Sequence, residues 1–256
     1  MASLGTARVE ADTKPMIVLN YHELVETSPT NAWCLTHDAF DAHLALCGDM
    51  LISPQNFMDH WSHPKTGRNS GILLTFDDGF LSDYTHVYNR YIMTGRIPGF
   101  ISFIPVDFVG TAGRMDWTMI EEISRGGGVI GSHGMAHADL TTVSDVELSR
   151  ELKMSKSILE HHLGKEVPLF AFPYGRFSRR VWDAALKAGY THLFTIQLGY
   201  HRGFESFLCS RLCLTNNMDA EYMRQHLLDP NTKRGIAWKV STKLGLYRPL
   251  MRWRYR

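Results

Sequence analysis

Cysteine is scarce in this 256-residue chain: Cys34, Cys47, Cys209 and Cys213 are too few and too scattered for a disulfide scaffold. Cys209 and Cys213 lie four apart, but without a second pair or a neighbouring His they read as buried thiols. No stretch approaches the roughly 18 apolar residues of a membrane-spanning helix. Met1 to Lys14 shows no apolar core behind a basic start, so a soluble, cytoplasmic protein is the expectation. No Walker-type loop occurs, so nucleotide binding has no support. The net charge is +1, which gives the whole chain no bias toward nucleic acid. Acidic residues are missing altogether from 231 to 256, where Lys233, Arg234, Lys239, Lys243, Arg248, Arg252, Arg254 and Arg256 occur.

Apolar residues make up 44% of the chain, enough for a sizeable core. They fall into short runs. Met16 to Asn20, Ile72 to Phe76, Gly99 to Ile104, Val129-Ile130, Pro168 to Phe172, Thr191 to Ile196 and Ser210 to Leu214 read as strands. Between them lie helix signals, with caps at Thr36, Asp116, Ser144, Ser178 and Asp219. Thr36 opens a helix with Phe40, Leu44, Cys47 and Leu51 on one face. Ser144-Asp145-Val146-Glu147 is a capping-box pattern opening a long helix that Gly164 stops. Asp219 caps a last helix toward Leu228. Strands alternating with helices predict parallel βα units, and about seven of them predict a closed or nearly closed barrel.

Chemistry-bearing residues cluster at the predicted strand ends, where such sheets place their sites. Leu73 to Phe76 runs into Asp77-Asp78-Gly79, whose adjacent carboxylates on an extended segment point to opposite sides. Ser132-His133-Gly134-Met135-Ala136-His137 carries two histidines four apart, on one face of a helical turn. One carboxylate and two imidazoles suit a divalent cation with positions left for water.

Thr75-Phe76-Asp77-Asp78-Gly79, Ser132 to His137 and Phe172-Pro173-Tyr174-Gly175 resemble, in order, the first three motifs of the polysaccharide deacetylase family (carbohydrate esterase family 4, NodB homology domain). The resemblance covers roughly Met16 to Leu228. It implies an α/β fold, a distorted (β/α)7 barrel, over 16–230, between an N-terminal extension, 1–15, and the basic segment 231–256. It implies Asp77 as general base and Asp78, His133 and His137 as ligands of a divalent metal, zinc being the usual ion. The Tyr174 amide would stabilise the oxyanion.

The chain departs from that pattern in three places. Leu214 stands where the family's acid histidine is expected, Ala171 where an arginine partners the base, and no Asp-x-x-Asp-Trp motif is found. Leu19-Asn20-Tyr21-His22-Glu23 instead resembles the branch acting on poly-N-acetylglucosamine, which makes His22 the expected general acid, with His201 next in line. Arg211 is a candidate partner for Asp77. Trp117, Phe172 and Phe207 are candidate sugar-stacking surfaces.

The expected activity is metal-dependent N-deacetylation of an N-acetylated sugar, of the N-acetylglucosamine type, in a polysaccharide or a lipid- or nucleotide-linked precursor. The basic segment, with Trp238, Tyr247 and Trp253, suits peripheral contact with an anionic membrane at its inner face. Two rivals use the same scaffold: a deformylase or allantoinase-like hydrolase of another C–N bond, and a non-catalytic carbohydrate-binding barrel. A metal-free site is disfavoured by the complete Asp-His-His set, and a pure binder by retention of both aspartates.

Overall fold

The computed structural model of the chain describes residues 16–62, 71–197 and 208–225. The N-terminal extension, the basic segment, His201, Phe207 and the stretch toward Leu228 lie outside the described residues.

Eight parallel strands form one sheet: β1 (Met16–Tyr21), β4 (Gly71–Asp77), β5 (Ile101–Ile104), β6 (Val129–Ser132), β7 (Leu169–Ala171), β8 (His192–Thr195), β9 (Leu208–Ser210) and β10 (Leu212–Cys213). A small parallel pair, β2 (Leu24–Val25) and β3 (Leu35–Thr36), stands apart from it. The order across the large sheet is β10-β1-β4-β5-β6-β7-β8-β9. Its two edges, β9 and β10, are consecutive in the chain and are separated by Arg211 alone. β9 pairs with β8 and β10 with β1, so the sheet curls round to a nearly closed barrel. Counting β9 and β10 as one interrupted strand gives the seven positions expected from the sequence. The split at Arg211 was not expected: Ser210 to Leu214 reads as one strand, but its two halves bond to different neighbours.

Among the described residues, six α-helices follow the strands: α1 (His37–Cys47), α2 (Pro54–Ser62), α3 (Trp117–Arg125), α4 (Asp145–Leu163), α5 (Arg179–Lys187) and α6 (Ala220–Met223). The five expected caps all accept a backbone N–H, as Ser144 does from Glu147. Gly164, left-handed at φ 63°, ends α4. Leu51 lies beyond α1 and bridges to Ile72. Asp83–Ile92 is π-helical, a form often found at functional sites. Gly126, Gly128 and Gly131 have Gly-x-Gly-x-x-Gly spacing, but they lead from α3 into β6, the reverse of the strand-to-helix order of a dinucleotide site. Among the described residues no helix is long and apolar enough to cross a membrane.

Side-chain parity positions the site. Ile72, Leu74 and Phe76 of β4 pack outward against the helices, whereas Leu73 joins Val18, Ile101, Phe103, Leu169 and Phe194 inside the barrel. A strand's alternation therefore sends Thr75 and Asp77 inward with Leu73. In β1 the same parity sends Asn20 inward beside Val18, while Leu19 and Tyr21 pack outward. Thr75 and Asn20 are register partners. Burial on both faces explains why β4 reads as a continuous apolar run.

Candidate active site

The C-terminal ends of the strands open at one end of the barrel, and the candidate residues follow them directly: His22 after β1, Asp77 and Asp78 at the end of β4, His133 after β6, Tyr174 after β7. Phe172, by contrast, is wholly buried in a cluster with α4 and α5, so it offers a sugar no surface. Trp117 stacks on His162, ring centroids 3.7 Å apart.

Asp77 is 3% exposed and sits in a network of four side chains. Arg211 forks onto it, Nη1 donating to Oδ1 at 2.6 Å and Nη2 to Oδ2 at 2.8 Å. Asn20 Nδ2 donates to Oδ2 at 3.0 Å. Arg211 also donates to Asn20 Oδ1 at 2.9 Å and to Thr75 Oγ1 at 3.3 Å. Burial alone raises a carboxyl's pKa, but the Arg211 guanidinium, with smaller help from His133, outweighs it and holds Asp77 well below the usual carboxylate range. Arg211 thus occupies the role for which the resemblance expects an arginine at position 171. Ala171 contributes its carbonyl instead, to His133. Cys209 lies in the interior cluster, so the same alternation sends Arg211 inward.

Asp78 faces the histidines. Its Oδ1 lies 3.4 Å from His137 Nε2 and 3.8 Å from His133 Nε2, and among the described residues it is buried without a hydrogen-bond partner. The three potential ligand atoms lie within 4.8 Å of one another. His133 Nδ1 is 2.7 Å from the Ala171 carbonyl, which can only accept. Nδ1 therefore carries the proton and Nε2 keeps its lone pair toward Asp78. Burial pushes the His133 pKa down to about 4, outweighing the attraction of Asp77, so the ring is neutral at pH 7, the form that binds metal. An orphaned carboxylate oxygen, a neutral imidazole with a fixed tautomer and a second imidazole make a donor set that fits a divalent cation.

The local backbone differs from the sequence expectation at both motifs. Asp78 is left-handed, φ 72°, so it does not continue the strand's alternation. That turn brings both carboxylates to one cleft: His133 Nε2 is 3.9 Å from Asp77 Oδ2 and 3.8 Å from Asp78 Oδ1. His133 and His137 are not on a helical turn. They bracket a loop, and His137 is itself left-handed at φ 57°. Tyr174 shares that conformation, also at φ 57°. Three of the four non-glycine residues with positive φ among those described are therefore in this site, where backbone strain tends to collect.

Tyr174 is 53% exposed, its ring 4.6 Å from that of His137. It follows Pro173 in the first turn of a 3₁₀ helix, Pro173–Gly175, where a backbone N–H has no acceptor within the helix. His22 lies on the opposite side of the cleft. Its Nδ1 is 3.9 Å from Cys213 Sγ and its ring 5.7 Å from that of Trp33, which is 45% exposed. Burial lowers the His22 pKa, and Asp77 and Asp78 oppose that shift.

Four contributors had not been singled out from the sequence. Asn20 and Thr75 were legible by parity, sharing a face with Asp77. Arg114 donates to the Asp78 carbonyl at 2.7 Å, with its guanidinium 3.6 Å from the Phe80 ring centroid, and no local pattern marks it. Glu151 receives the amides of the loop between the histidines.

The family model for polysaccharide deacetylase matches residues 64–193. YxkH of Bacillus subtilis (strain 168), whose name assigns it to the polysaccharide deacetylases, is 24% identical over 179 residues, covering 68% of this chain and 61% of that protein. The peptidoglycan-N-acetylmuramic acid deacetylase PdaA of the same organism is 30% identical over 124 residues, 48% of this chain and 45% of PdaA. The chain thus spans about half to three-fifths of the length of these curated relatives. Among solved structures, the Streptococcus pyogenes deacetylase PplD in complex with acetate superposes with a TM-score of 0.73 at 22% identity, over 82% of this chain and 96% of that one. IcaB from Ammonifex degensii gives 0.68 at 22% identity, over 82% and 95%. At these identities the two structures establish the barrel.

Proposed function

The chain belongs to the polysaccharide deacetylase family, and from that premise we propose that it is a metal-dependent carbohydrate N-deacetylase, hydrolysing the acetamide of an N-acetylglucosamine-type unit to a free amine and acetate. The observation that carries the reading is the division between two adjacent carboxylates. Asp77 is locked by Arg211, while Asp78 turns an unpartnered oxygen toward two imidazoles.

Asp78, His133 and His137 would hold the cation, with zinc the expected ion. Bound there, a divalent cation would supply a water of lowered pKa, toward ~7, and would polarise the acetamide carbonyl. Asp77, excluded from the ligand set, takes the proton as water attacks. Arg211 keeps that carboxylate ionised and fixes its direction, and Asn20 holds the same oxygen from β1. The Tyr174 N–H donates to the developing oxyanion. His22, across the cleft, protonates the departing amine. Trp33 beside His22 and Tyr174 beside His137 give a sugar ring exposed aromatic walls on two sides. The reading extends to a cytoplasmic protein acting on a glycan or its lipid-linked precursor at the inner membrane face, with segment 231–256 against anionic headgroups.

The test is acetate release from N-acetylglucosamine oligosaccharides, assayed with and without a strong chelator. The reading predicts release that stops on chelation and returns on adding zinc. Release that persists after complete metal removal contradicts the metal mechanism, and glycan binding without any release contradicts the activity.

A further inference from the structure

His133 and His137 are joined by Gly134, Met135 and Ala136, a loop with no helical bonding of its own. Its carbonyls are taken from one side: Val106 N–H donates to the Gly134 oxygen at 3.1 Å and Asp107 N–H to the Met135 oxygen at 3.0 Å. Its amides turn the other way, onto a single carboxylate from α4. Glu151 is 0% exposed. Its Oε2 accepts the Met135 N–H at 2.7 Å and the Ala136 N–H at 3.2 Å, with Oε1 3.3 Å from the same Ala136 nitrogen. No basic side chain pairs with Glu151 among the described residues. A buried carboxylate of this kind is costly unless it is well hydrogen-bonded, and charge-assisted bonds to two backbone amides answer that cost.

Gly134 fits the same arrangement. A Cβ there would sit 2.7 Å from Glu151 Oε2, and its φ is +83°. A side chain at 134 would push the carboxylate off the amides. One turn along α4, Ser155 bonds to Ser132 Oγ at 2.9 Å, and Ser132 in turn receives the Gly134 N–H at 3.2 Å. The helix thus grips the loop, and its one charged contact is Glu151.

We propose that Glu151 is a positioning residue for the metal centre, holding residues 134–136 so that His133 and His137 present their Nε2 atoms to the same cation as Asp78. This rests on the metal reading given above. It explains how His137 is kept left-handed, a conformation an L-residue does not favour alone, and why a carboxylate lies in the layer behind the site.

The experiment is zinc titration against a chromophoric chelator in the wild type, Glu151→Gln and Ser155→Ala, with hydrogen exchange at Met135 and Ala136 measured on the metal-free proteins. Glu151→Gln keeps the shape but removes the charge that strengthens both amide bonds, and it sets an NH₂ where Oε1 meets the Ala136 N–H. It should weaken zinc binding about 10–100-fold, the range for losing an outer-shell partner, and release protection at both amides, while kcat at saturating zinc stays near wild type. Ser155→Ala loosens Ser132 and the Gly134 N–H without touching those two amides, so it should leave their protection unchanged and weaken zinc binding clearly less than Glu151→Gln. If Glu151→Gln does not fold, Gly134→Ala replaces it and should weaken zinc binding likewise. Wild-type affinity in either folded variant overturns the proposal, as does equal weakening in Ser155→Ala. A wild type that binds no zinc overturns the metal reading itself.

Discussion

Replacing Arg211 with methionine exposes the balance on which the site depends. The guanidinium is 0% exposed and Asp77 3%, so solvent screens little of their interaction. Both bonds of the fork, at 2.6 and 2.8 Å, would be lost, leaving Asn20 as the side-chain donor to a buried carboxylate. Removing one partner of a buried pair costs about 3–5 kcal/mol. At roughly 2–4 °C per kcal/mol for a domain of this size, the melting temperature should fall by about 6–20 °C at pH 7. The pH dependence identifies the cause. In the wild type, Arg211 overcomes burial and depresses the Asp77 pKa. The pair's stabilisation is therefore complete above the unfolded value of ~3.9 and is lost only as pH falls from there through the lower folded value. In Arg211→Met burial acts without the guanidinium and raises the folded pKa. Ionised Asp77 then opposes folding, most strongly at neutral pH, and that penalty fades as the carboxyl protonates. Thermal melts of both metal-free proteins between pH 4 and 8 should show a deficit that is widest near pH 7 and narrows toward pH 4. A deficit that is constant across this range, or a loss of under ~2 °C at pH 7, refutes the reasoning.

His22→Ala should lower kcat by about 10²–10⁴-fold, the usual contribution of a positioned acid, with metal content unchanged; an unchanged kcat would pass the role to another group, His201 being the next to replace. Asp78→Asn should weaken zinc binding by more than the roughly 10–100-fold of an outer-shell loss, because it neutralises a direct ligand. Undiminished affinity in an equilibrium titration would contradict the donor set.

Much of this architecture is legible in the chain because parallel strands buried on both faces leave short apolar runs that stop abruptly at their functional ends. β4 shows it most clearly, from Gly71 to Asp77. The caps were equally legible, since Thr36, Asp116, Ser144, Ser178 and Asp219 each sit one residue before a helix and bond to it. What periodicity misses is backbone that leaves the regular regions. The left-handed turn at Asp78 defeats strand alternation, and the loop from His133 to His137 imitates helical spacing without forming a helix. Long-range pairing is harder to read: Arg211 is a candidate partner for Asp77 in the sequence, but only the closing of the barrel brings the two together across a separation of 134 residues. Glu151 did leave a local trace. It lies three residues after Leu148 and one before Leu152 on the buried face of α4, where a charged side chain needs a buried partner.

The central claim is that Asp78 binds the metal while Asp77, beside it, works on the water. Acetate release by Asp77→Asn carrying a full metal complement tests this most directly, with metal content and rate measured on the same sample. The account predicts about one zinc per chain and a kcat reduced by roughly 10²–10⁴-fold. A zinc-loaded Asp77→Asn that releases acetate at the wild-type rate would contradict it.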